Sequence, residues 1–68
     1  MAAFAVGNRV QFNPGCGEQG TVFVVEEVHS QPTPFGTFVT YVVRPEAGGE
    51  ARAESNGHIR FRNAEEAR

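Results

Sequence analysis

The 68-residue chain is one domain's worth of sequence, and a domain of this size buries only about 60% of the surface its unfolded form exposes. Its single cysteine, Cys16, excludes an intramolecular disulfide, which leaves association with itself or with another chain as the staple small domains commonly use. A formal charge of -2 without a single lysine argues against unspecific gripping of a phosphate backbone, and no apolar run approaches the roughly 18 residues of a membrane span.

Leu, Asp and Trp are absent as well as Lys, while Val and Phe carry most of the large apolar content. Those residues suit a pleated, half-buried surface, so composition favours strand over helix. Residues 1–6 are apolar but have no charged leader and no long apolar stretch, so they do not read as a signal peptide. A soluble cytoplasmic protein with no membrane partner is expected.

In chain order, the first segment covers residues 4–12, with a turn at Gly7-Asn8, after which Val10 and Phe12 alternate with Arg9 and Gln11. Residues 13–17 break the pattern with two glycines. Residues 21–29 form the strongest strand: Val22, Val24 and Val28 on one side, Phe23, Val25, Glu27 and His29 on the other. Apolar residues on both faces near its start suggest a bent long strand or a subunit interface.

Residues 30–36 read as a loop in which Pro32 and Pro34 exclude regular pairing. The strand at 37–44 opposes Val39, Tyr41 and Val43 to Phe38, Thr40 and Val42, and residues 45–49 reverse the chain. Across 50–55, Glu50, Arg52 and Glu54 are expected outward with Ala51 and Ala53 inward. Asn56-Gly57 has two readings: a type I′ hairpin turn, or a single 3₁₀ turn before the last strand. Ile59 and Phe61 are expected as the last core positions, between Arg60 and Arg62. The tail at 63–68 is polar and short enough to form one helical turn or to fray. About five short antiparallel strands make an all-β domain over residues 4–62, which must curl to hide its edges.

The run Val6-Gly7-Asn8-Arg9-Val10-Gln11-Phe12, followed by Gly17-Glu18-Gln19-Gly20-Thr21-Val22, resembles the opening hairpin of SH3-like barrels. More narrowly it is similar to the KOW motif, in which a glycine loop leads to a Gly-x-Val start of the second strand. The resemblance spans residues 6–25 and implies an SH3-like barrel with a 3₁₀ turn before the fifth strand, together with binding of ribosomal RNA, transcription machinery or protein. RNA-binding members usually present a basic first loop, whereas residues 13–19 here carry no positive charge. Gly7-Asn8-Arg9-Val10, Gln19-Gly20 and Tyr41-Val42-Val43 also look like the plasmid-borne type II dihydrofolate reductases. That family's Val-Gln-Ile-Tyr run is replaced here by Ala51-Arg52-Ala53-Glu54, so the resemblance extends to oligomer formation and not to the activity.

The residues offer no assembled chemistry. Cys16, His29 and His58 lack the close spacing of a metal site, and Cys16 reads as an ordinary surface thiol on an exposed loop. Glu26-Glu27 are adjacent on a strand and cannot act as a pair. Glu46, Glu50 and Glu54 among arginines read as a solvated face of cross-strand ion pairs. Two sets of residues stand out as candidate partner contacts. Phe35, between Pro34 and Gly36, is an aromatic on a stiffened loop, either free to meet a partner or folded back over the barrel mouth. Arg44, Arg52, Arg60 and Arg62 offer bidentate contact to phosphate or carboxylate, the last three from one outward face. The expected function is a non-catalytic module, with no cofactor and no metal, that associates with a protein partner or with itself. The alternative is a nucleic-acid or transcription-complex binder using the C-terminal arginines.

Overall fold

The computed structural model describes residues 4–67, and the side chains of residues 4–65. Five antiparallel strands make one sheet: β1 (Arg9–Phe12), β2 (Phe23–Thr33), β3 (Gly36–Pro45), β4 (Arg52–Ser55) and β5 (Phe61–Asn63). Their order is β4-β3-β2-β1-β5, so β1 through β4 run as a meander and β5 returns beside β1. The protein is all-β, as its composition implies.

The sheet curls around its inner face. Val10 and Phe12 from β1, Phe23 and Val25 from β2, Val39, Tyr41 and Val43 from β3, and Phe61 from β5 form one buried cluster. At its centre the rings of Phe12 and Phe61 lie 4.5 Å apart, and Phe23 meets Phe12 edge-on at 5.6 Å. Phe4, ahead of the first turn, closes one side: its ring packs edge-on against Tyr41, and its N–H donates to Tyr41 Oη at 3.3 Å. Ala64, in the 3₁₀ turn Ala64–Ala67, is also buried, so the segment after β5 packs onto the domain.

The structure departs from the sequence expectations along β2, at residues 30–36, at Asn56–Ile59 and in β4. The bulge between Val25 and Glu27 shifts the alternation of β2, so Val28 joins Phe23 and Val25 on the inner face and lies opposite Tyr41. Residues 30–36 are not a loop: the β2–β3 ladder continues to Thr33↔Gly36, and only Pro34 and Phe35 form the turn. Pro32 is tolerated because the other edge of β2 has no strand partner beyond Val25 among the described residues, so a missing N–H there costs no ladder bond. Thr33 locks the turn, accepting from Phe35 N–H and donating to Gly36 O.

Asn56-Gly57 is neither of the two turns read from sequence. Asn56 alone adopts the left-handed conformation (φ 57°, ψ 33°), and residues Gly57–Arg60 form one α-helical turn, α1. The Asn56 carbonyl accepts from Ile59 and Arg60 N–H. Helical phase replaces strand phase here, so Ile59 is 64% exposed and only Phe61 reaches the core. Gly57 is required for contact rather than for φ, since a Cβ would overlap the Tyr41 ring.

Finally, β4 faces the other way from its expected orientation. Its register pairs Arg52 with Val43 and Glu54 with Tyr41, so the charged residues lie on the inner side and Ala53 is exposed.

Candidate interaction surfaces

The corrected register of β4 builds a charged rim over the aromatic core. Arg52 crosses the inner face so that its guanidinium lies 4.6 Å from the centre of the Phe23 ring and 5.7 Å from that of Phe12. Arg60, from the end of α1, lies 5.3 Å from the Phe12 ring on the same side. Glu54, only 15% exposed, sits between the two: it accepts from Arg60 Nη1 at 2.7 Å and is 3.8 Å from Arg52 Nε. Arg52 also donates to Glu18, and Arg60 Nη2 donates to Cys16 O at 3.0 Å.

The rim therefore straps the first loop down. Gly17 lies flat on Phe12, where a Cβ would stand 2.7 Å from the ring, and Cys16 is partly buried against the core rather than on an exposed loop. Arg52 holds the Glu18 carboxyl below its usual range, chiefly through the hydrogen bond between them.

The candidate contact residues thus separate. Arg52 and Arg60 converge on Glu54, not on an outward face, while Arg62 lies opposite Gln11 on the outer side of β1 and β5. Its Nε is buried without a hydrogen-bond partner among the described residues. Arg44 is exposed and donates to Glu26 at 2.7 Å and to Gly49 O at 2.8 Å. Arg9, which the sequence reading passed over, holds Glu46 through two bonds of 2.5 and 3.0 Å and drives its carboxyl below the usual range. Nothing local signals that pair, because its members are 37 residues apart. Glu26 and Glu27 do part company: one meets Arg44 and the other His29. Cys16, His29 and His58 do not come together, and no group of three or more potential metal ligands forms among the described residues.

The second surface is the far half of the β2–β3 hairpin. Every residue from 29 to 38 is exposed, so this segment forms an arm projecting beyond the core. Phe35 at its tip is 98% exposed, which decides between the two sequence readings in favour of the free side chain. Phe38, 39% exposed, lies further down on the outer face, opposite Gln31. An open groove of about 420 Å³ spans the two strands at this level, lined by His29, Ser30, Gln31, Phe38 and Thr40. No helix among the described residues is long and apolar enough to cross a membrane. In comparisons with protein-family models, curated proteins and solved structures, the chain matches none.

Proposed function

We propose that this chain is a non-catalytic association module of SH3-like architecture, which engages a protein through the β2–β3 arm. The observation that carries the reading is the arm itself, exposed throughout residues 29–38 and tipped by Phe35. A two-stranded hairpin gains little from standing alone in water, and an almost fully exposed phenylalanine contributes nothing to the core. Both features become favourable once a partner covers them, because an aromatic on a proline-stiffened turn loses little freedom on docking. The strand order and the single helical turn before the last strand support the SH3-like assignment.

The competing reading, a KOW-type nucleic-acid binder, needs free arginines. Arg44, Arg52 and Arg60 each donate to a glutamate, so phosphate binding there would first have to displace a carboxylate. A photo-crosslinking amino acid at position 35, activated in cells, distinguishes the two. Discrete protein adducts are expected. Adducts carrying nucleic acid instead, with salt-dependent affinity for short RNA that disappears in Arg60→Ala and Arg62→Ala, would replace the association reading with the other.

A further inference from the structure

We propose that the open edge of β2 pairs antiparallel with the same edge of a second copy of this chain, about a two-fold axis at His29. The proposal rests on the association reading and names its partner. Two features bracket the edge. At one end Val25 is already taken, donating to Asn8 O at 3.0 Å and accepting from Gly7 N–H at 2.8 Å. At the other end stands Pro32, which has no N–H to give.

Between them the ladder decides which residues look outward. In an antiparallel pair the bonded positions alternate, and the tight turn closing on Thr33↔Gly36 assigns Gln31, His29 and Glu27 to β3. Val28 and Ser30 are left with N–H and C=O directed at the open edge. Val25, directed at β1, and the bulge that follows it give the same assignment from the other end.

Two outward residues separated by one are complementary to themselves. With the axis at His29, Val28 of each copy exchanges both its backbone bonds with Ser30 of the other, and no outward donor of this pair is left over. Side chains agree with that register. Glu27 falls opposite Gln31 of the second copy on the outer face, a carboxylate facing a carboxamide donor. A longer foreign strand has less to gain, since β1 and Pro32 stop the ladder on either side.

Sedimentation equilibrium of the full chain under reducing conditions, over a wide concentration range, should show a two-chain species. Ser30→Pro removes one outward donor per copy without touching the β3 ladder, and should weaken that species about tenfold or more while circular dichroism stays unchanged. A second variant, Cys16→Ala with His29→Cys, does not depend on how that proline folds. Facing residues at a non-bonded antiparallel pair have Cα atoms about 4.5 Å apart, within disulfide reach, so it should oxidise to a covalent dimer. Gln31→Cys in the same background lies about 13 Å from its own copy and should not. A strict monomer with no His29→Cys dimer overturns the edge pairing, as does equal crosslinking at both positions. Protein adducts at position 35 in that case would leave the association reading standing without it.

Discussion

Gly57 and Glu54 each concentrate a different kind of energy in one residue. Gly57 has an ordinary helical conformation, yet its α-carbon lies against the Tyr41 ring so closely that no side chain fits. Gly57→Ala is therefore expected to destabilise the fold by roughly 1–3 kcal/mol through overpacking, despite the higher helix propensity of alanine. Urea unfolding would measure it as a lowered midpoint with an unchanged slope. Glu54 is the shielded member of the rim, and its loss leaves two guanidinium groups facing each other above the Phe12 ring. Glu54→Ala should cost about 1–3 kcal/mol, whereas Glu26→Ala, which breaks the exposed pair with Arg44, should stay within about 1 kcal/mol. Parallel thermal melts of the two variants test the difference.

Among the elements, the β2–β3 hairpin is one ladder with two environments. Its first half carries Phe23, Val25, Tyr41 and Val43 into the core, and its second half buries almost nothing. The bulge at Glu26 marks the change, since it rephases the strand so that Val28 still reaches inward before the arm begins. In the isolated monomer, amide exchange along residues 29–38 should be much faster than along 23–25 and 41–43, because opening the arm exposes no core. Phe35→Ser should leave stability within about 0.5 kcal/mol while removing partner contact. A melt combined with the crosslinking assay would separate those two effects. A large loss of stability in Phe35→Ser would mean that the tip is structural after all.

At the scale of the whole molecule, ion pairs tie together segments that the ladder leaves apart. Arg9 joins β1 to the turn after β3 through Glu46, and Arg52 joins β4 to the first loop through Glu18. Both carboxyls are held below their ordinary value of 4.5, chiefly by the hydrogen bond from their arginine. A folded-state pKa below the unfolded one contributes stability that is present above the unfolded value and is lost as pH falls through the depressed one. Acid should therefore loosen the fold progressively below pH 4.5, and Glu46→Gln should flatten that limb of a stability-against-pH curve while leaving its neutral part nearly level. These pairs are exposed, so added salt should weaken the same dependence.

Strand content, the alternation of β3 and the absence of a disulfide were all legible before folding was considered, because pleat, propensity and cysteine count are local properties of the chain. Val39, Tyr41 and Val43 could be assigned inward from their spacing alone. The direction of β4 could not. Alanine alternating with charge reads naturally as alanine inside, yet pairing with β3 places Arg52 and Glu54 inward, where the guanidinium groups cover aromatic rings that no local signal had brought there. The same limit applies to Pro32, which by itself reads as a strand breaker but is harmless on an edge, and to Ile59, apolar yet carried outward by a helical turn. An element's own residues set its period, while its phase is set by the neighbour it pairs with, and that neighbour is known only once the chain has closed.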